Sequence, residues 1–252
     1  MRDWKYDNEQ WTQLPTYLKH LPLFTRAHDW TSMFFRFAWS IYLKVVFTFY
    51  IRLKVVGDYH SIYKKYPRLL IISNHGSHLD ATSIAASIPS QYWLDLFIAA
   101  AKDYFFSNAF FTFFSQHCLG AIPIDRKDRK GEAINLITRM LTTMDRIWLI
   151  LFPEGTRTPD GKIHTFKRGV SVFAEKTKTP ILLLFLDGNT KLMPKGRPWA
   201  RPGKLTIYVG PVIPPSPIDQ VYKAYKDWVI TINPDAFADD QTVNFDAYRS
   251  SL

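Results

Sequence analysis

Short apolar runs alternate with helix-patterned stretches through most of this chain, and that alternation limits its fold more than any other feature. Residues 69–72 read Leu-Leu-Ile-Ile, 96–101 Leu-Phe-Ile-Ala-Ala-Ala, 147–152 Ile-Trp-Leu-Ile-Leu-Phe and 181–186 Ile-Leu-Leu-Leu-Phe-Leu. Each is continuous rather than alternating, which suits strands buried on both faces. Shorter strands are expected at 120–126 and 205–209. Between them lie helical patterns, clearest at 132–146, where Ile134, Ile137, Leu141 and Met144 fall on one face. Helices are also expected at 167–178 and 218–230, and no internal repeat is present. The expected class is α/β: a mostly parallel, mixed central sheet with helices on both faces.

The first sixty residues read differently. Residues 30–56 are rich in Phe, Trp, Tyr, Val and Ile, interrupted by Arg36, Lys44, Arg52 and Lys54. A spanning helix needs about 20 apolar residues, and a cation at mid-span costs roughly 3 kcal/mol on insertion scales. The charge-free windows 37–43 and 45–51 are too short. The expectation is a monotopic helical unit lying in a membrane interface, its Lys and Arg side chains reaching back to phosphate. The competing reading is a bundle helix packed on the main domain. Half of the eight Trp (Trp4, Trp11, Trp30 and Trp39) fall in the first forty residues, and Trp favours interfaces. Three segments follow: 1–58 as a membrane-anchoring helical segment, 59–232 as the α/β domain, and 233–252 as an acidic tail without periodicity.

Charge narrows the partners. The net charge is +10, and residues 121–210 hold 17 Lys/Arg against 8 Asp/Glu. A basic middle suits anionic lipid or a phosphorylated substrate. No nucleic-acid signature accompanies it, so no nucleic-acid partner is expected. The single cysteine, Cys118, excludes an intrachain disulfide framework. No signal-peptide pattern opens the chain. The expected location is the cytoplasmic face of a membrane.

The chemistry concentrates where strands end. The run at 69–72 leads into Ser73-Asn74-His75-Gly76-Ser77-His78-Leu79-Asp80 and then a helical pattern. His75 thus sits at the carboxyl end of a strand, the edge where open α/β sheets gather ligand groups. With Ser77 as a helix cap, Asp80 falls on the first turn, and its carboxylate can fold back onto one ring nitrogen of His75. The other nitrogen is then free to act as a general base. His78 reads as a spectator. Arg126 ends the strand at 120–126, Lys102 follows the run at 96–101, and Glu154, Gly155, Thr156 and Arg157 follow the run at 147–152. Arg offers bidentate geometry to phosphate oxygens, and Gly155 allows close backbone approach. The aromatic stretch 104–114 must be buried in protein or lipid, or line an apolar channel.

Asn74-His75 with Asp80, Gly120 to Arg126, Phe152-Pro153-Glu154-Gly155-Thr156-Arg157 and Phe166-Lys167-Arg168-Gly169 resemble the blocks of the glycerolipid acyltransferases, closest to the bacterial-type 1-acylglycerol-3-phosphate (lysophosphatidic acid) enzymes. The resemblance covers roughly residues 55–215. It implies acyl transfer from acyl-CoA or acyl-carrier-protein, a co-substrate rather than a cofactor, to a lysophospholipid hydroxyl. It implies His75 as the base, Asp80 as its orienting partner, and Lys102, Arg126, Glu154, Gly155, Thr156 and Arg157 around the acceptor's glycerol-phosphate. It also implies an acyl channel along 104–114 and a membrane-held N-terminal unit. The fourth block has Leu183 where the family usually has a second proline, so a lyso-amino-lipid acceptor stays open. A metal-dependent hydrolase built on His75, His78 and Asp80 and an inert lipid-binding scaffold are the competing functions.

Overall fold

The structure, a computed structural model, describes residues 30–124, 132–194, 197 and 199–238. Its centre is a seven-stranded sheet. The strands are β1 (Leu53–Val56), β2 (Arg68–Ser73), β3 (Leu96–Ala101), β4 (Ala121–Ile124), β5 (Ile147–Leu151), β6 (Ile181–Asp187) and β7 (Leu205–Ile213). Their order across the sheet is β1-β7-β6-β2-β5-β3-β4. The five strands from β6 to β4 run parallel. β7 pairs antiparallel with β6, and β1 joins it in parallel. The sheet is mixed and mostly parallel, as the continuous apolar runs require.

Helices cover both faces. They are α1 (Trp30–Phe49), α2 (Tyr59–Lys65), α3 (Asp80–Ser87), α4 (Lys102–Phe105), α5 (Ala109–Phe114), α6 (Glu132–Thr143), α7 (Gly169–Thr177), α8 (Asn189–Leu192) and α9 (Ile218–Ile230). Successive strand residues point to opposite faces, and the core divides accordingly. Leu70, Ile72, Leu149, Leu183 and Phe185 pack with Ile137, Leu141, Val170, Ala174, Val221 and Val229 from α6, α7 and α9. Leu69, Ile71, Ile150, Leu182 and Leu184 pack with Leu43, Phe47, Ile84 and Trp93 on the other side. β2 lies at the middle, and Leu69 to Ile72 are wholly buried.

Two sequence expectations change here. The apolar stretch 30–56 is not one helical unit: α1 stops at Phe49, and Leu53–Val56 pairs with β7 as the sheet's edge strand. The two cations of α1 do not reach outward either, whereas Arg52 and Lys54 beyond it are exposed. Arg36 is 3% exposed, and its Nη1 donates to the carbonyls of Trp93 (2.8 Å) and Leu96 (3.2 Å). Lys44 Nζ donates to the carbonyls of Ala86 and Ile88 at the end of α3, a favourable place for a cation. Burial lowers the Lys44 ammonium pKa. The tail is also anchored where it starts, because Phe237 bridges to Ile163 and is buried. Among the described residues no helix is long and apolar enough to cross a membrane. Trp4, Trp11, the rest of 1–29 and the tail beyond 238 lie outside the described residues.

Candidate active site

The central strand β2 delivers His75 to the carboxyl edge of the sheet, and its last turns are tied on both sides. Asn74 Nδ2 donates to the Leu186 carbonyl at 3.0 Å, and Asn74 Oδ1 accepts the Leu186 N–H at 2.9 Å. The side chain thereby extends the pairing of β2 with β6 beyond Ser73. The Asn74 backbone N–H donates to Tyr225 Oη (3.0 Å), which donates to the Leu184 carbonyl (2.9 Å). Tyr225 comes from α9 and is wholly buried.

His75 Nδ1 lies 2.9 Å from Asp80 Oδ2. A carboxylate accepts, so Nδ1 carries the proton and Nε2 is the basic nitrogen. The ring stacks on Phe152, with centroids 4.1 Å apart. Its side chain is 21% exposed, while that of Asp80 is fully buried. A buried carboxylate needs partners on both oxygens, and Asp80 has them. Oδ2 also accepts the backbone N–H groups of Gly76 (2.8 Å) and Ser77 (2.9 Å), and Oδ1 accepts Asn189 Nδ2 at 2.7 Å. Ser77 does not cap the helix as expected. Leu79 is the cap residue, with no side-chain capping bond. Ser77 Oγ accepts the Leu79 N–H and donates to the Met193 carbonyl.

The loop after β5 folds over this turn. The Thr158 N–H donates to the His75 carbonyl at 2.9 Å. Both Glu154 oxygens take backbone donors, the N–H of His75 (2.7 Å) and that of His164 (3.1 Å). Glu154 therefore joins two loops and does not present a free carboxylate to a substrate. Burial pushes its carboxyl up to about 8, against the pull of those two N–H bonds and with a smaller push from Asp80 and Asp160. Gly155 has φ +70°, and a Cβ there would meet the Lys167 side chain at 2.9 Å. The turn thus takes a left-handed residue and lies beneath a lysine. Thr156 is exposed and Arg157 half-buried. The His78 pKa is lowered, by partial burial first and then by the charges of Arg157 and His75.

Lys102 opens α4 directly after β3. β3 is two strands from β2 and parallel to it, so Lys102 follows its strand at the same carboxyl edge as His75. His75, Glu154 to Arg157 and Lys102 thus share one edge. Arg126 lies outside the described residues. Sequence reasoning did not find Asn189 or Tyr225. The signal for Asn189 was a polar residue just past the end of a buried parallel strand. A metal site on His75, His78 and Asp80 is not assembled: Asp80 spends both oxygens on N–H donors, and among the described residues no group of three His, Cys, Asp or Glu is placed to hold a metal ion.

An imidazole held by a buried carboxylate, at the carboxyl edge of a covered mixed sheet, is an arrangement able to serve as a general base. Residues 54–184, just over half of the chain, match the family model named Acyltransferase, and the chain belongs to that family. The crystal structure of the 1-acyl-sn-glycerophosphate (LPA) acyltransferase PlsC from Thermotoga maritima superposes with a TM-score of 0.62 at 25% identity, covering 79% of this chain and 78% of that one. Two curated relatives are 1-acyl-sn-glycerol-3-phosphate acyltransferases. The alpha form of Mus musculus is 29% identical over 65% of this chain and 55% of its own length. That of Chlamydomonas reinhardtii is 32% identical over 48% of this chain and 37% of its own length. The chain thus spans about half or less of these relatives' length.

Proposed function

We propose that this protein transfers a fatty acyl group from an acyl thioester, acyl-CoA or acyl-carrier-protein, to the free hydroxyl of lysophosphatidic acid, giving phosphatidic acid. The observation that carries the reading is the His75 Nδ1–Asp80 Oδ2 contact of 2.9 Å, which leaves Nε2 as a fixed base on a half-open ring. Nε2 removes the hydroxyl proton as the oxygen attacks the thioester carbonyl. The C–S bond of the tetrahedral intermediate then breaks, and the departing thiolate takes the proton back from the imidazolium. No acyl-enzyme forms. Arg157, Arg126 and Lys102 hold the acceptor phosphate, with Gly155 and Thr156 lining the approach. Glu154 serves that site by holding the backbone of His75.

A membrane interface is the proposed setting. The outward side of α1 carries Trp30 (80% exposed), Phe34 (66%), Phe37, Ile41, Val45 and Phe49 (80%). These residues recur every three or four positions and form one stripe. The helix's two cations, Arg36 and Lys44, point inward. α5 widens the patch: Phe35 packs edge-on against Phe113 and Trp39 against Phe114, while Phe110 is exposed. So large an apolar surface suits acyl chains, and anchoring is the role proposed for the 1–58 segment.

The test is thioester consumption in detergent with a panel of lysolipids, wild type against His75→Ala. Loss of about 10²–10⁴-fold with His75→Ala is expected for a general base. Arg157→Ala should raise the KM for the phosphate-bearing acceptor. Equal turnover in wild type and His75→Ala would end the proposal.

A further inference from the structure

Asn189 stands five residues beyond the segment that matches the family model, yet it makes the shortest contact to the Asp80 carboxylate. It is 2% exposed, and its Nδ2 is 2.7 Å from Asp80 Oδ1. A turn and two neighbouring contacts show that this is a built support. Gly188, at φ +96°, turns the chain out of β6 and into α8. Thr190 presses its methyl against Gly76, leaving no room for a Cβ there. The Met193 carbonyl accepts Ser77 Oγ at 2.8 Å. One short segment thus grips the His75–Asp80 turn at residues 76, 77 and 80.

We propose that Asn189 is a positioning residue for the transfer reaction: by occupying Oδ1 it fixes the rotation of the Asp80 carboxylate, so that Oδ2 stays on His75 Nδ1 and Nε2 stays unprotonated toward the acceptor hydroxyl. The physical case is a count of donors and oxygens. Oδ2 holds three N–H donors, two from fixed backbone and one from a ring that can rotate. Oδ1 is in a site without solvent access and has Asn189. Without that amide, Oδ1 becomes a buried acceptor lacking a partner, which is costly. The carboxylate then turns to share its donors between two oxygens. The backbone donors cannot follow, so the His75 contact lengthens and the competing tautomer gains population. Charged and titratable groups around the pair (Glu154, His78, Arg157 and Tyr225) are untouched by a change at 189.

The inference rests on the acyl-transfer reading, and its test separates the two. Asn189→Leu removes the donor at nearly constant volume, and Asn189→Ala replaces it should the leucine variant not fold. Steady-state kinetics with acyl-CoA and lysophosphatidic acid should show kcat down about tenfold or more, the size of one hydrogen bond to a charged group, with both KM values unchanged. ¹⁵N NMR of histidine-labelled protein, with His75→Ala assigning the signal, should show a protonated Nδ1 in wild type and averaged nitrogens in the variant. Unchanged ¹⁵N shifts, or a loss expressed only as a smaller folded fraction or a higher KM, would overturn the proposal. The NMR readout needs no turnover, so a wild-type protein that transfers no acyl group refutes the acyltransferase reading while the positioning role is still decided by the spectrum.

Discussion

Glu154 holds His75 by its backbone and not by its ring: Oε1 accepts the His75 N–H at 2.7 Å while Oε2 accepts the N–H of residue 164. One carboxyl group thereby spans the turn after β2 and the loop after β5. Its burial sets a pH dependence. The folded carboxyl titrates near 8 against 4.5 for the free side chain. Below about pH 4.5 folded and unfolded chains both hold the proton. Between 4.5 and 8 the folded state keeps it while the unfolded state has released it, so stability falls as pH rises through that window and levels off above it. Denaturant midpoints at pH 5, 6.5 and 8 should decline in wild type. Glu154→Gln should be less stable at pH 5 and should have a flatter profile. Parallel profiles would contradict the assignment.

Tyr225 Oη receives the Asn74 N–H and donates to the Leu184 carbonyl, in a wholly buried position. Tyr225→Phe leaves an N–H and a carbonyl without that hydroxyl, at a cost of about 1–3 kcal/mol. Urea unfolding should show the loss. Because Asn74 precedes His75, kcat should fall as well, which a surface substitution such as Lys223→Ala would not cause.

Gly76 faces the Thr190 methyl with no space for a side chain. Gly76→Ala should destabilise by about 1–3 kcal/mol, as overpacking does, and should displace the His75 turn. Thr190→Ser removes the offending methyl, so the double variant should recover most of the lost stability and activity. A double-mutant cycle measures that recovery, and strict additivity would show that the two residues do not press on each other.

The two sides of α1 should respond differently to substitution. Phe34→Gln with Phe37→Gln and Ile41→Gln leaves the core intact, since all three side chains are exposed. Thermal stability should hold while co-sedimentation with phospholipid vesicles drops. Arg36→Ala should do the reverse. It strips carbonyls of Trp93, Leu94 and Leu96 of a buried guanidinium, at about 1.5–3 kcal/mol for a charged hydrogen bond, without touching the outer stripe.

Much of this arrangement was legible locally. The spacing of His75 and Asp80 across a strand-to-helix turn correctly implied their contact, because both lie on one short turn and five residues bring the two side chains within reach. The cations of α1 were read as reaching for phosphate because periodicity cannot tell which face of a helix a core covers. Their actual partners are the carbonyls of Trp93 and Leu96, at and just before the start of β3, and those of Ala86 and Ile88 at the end of α3, more than forty residues away. Glu154 read as a ligand group because a carboxylate beside arginines in a strand-end loop looks the same whether it meets a substrate or backbone N–H groups.

The amino-acid sequence by itself determined the class of fold, the strands that lie inside it and the edge where the histidine emerges. Continuous apolar runs can be hidden only in a sheet covered on both faces, and that requirement is met residue by residue. Tertiary structure alone decided the direction of β7, the recruitment of Leu53–Val56 as an edge strand and the meeting of Asn189 with Asp80 across 109 positions. Those outcomes depend on which distant segments share a neighbourhood after folding, and a buried polar atom takes whichever partner that neighbourhood supplies.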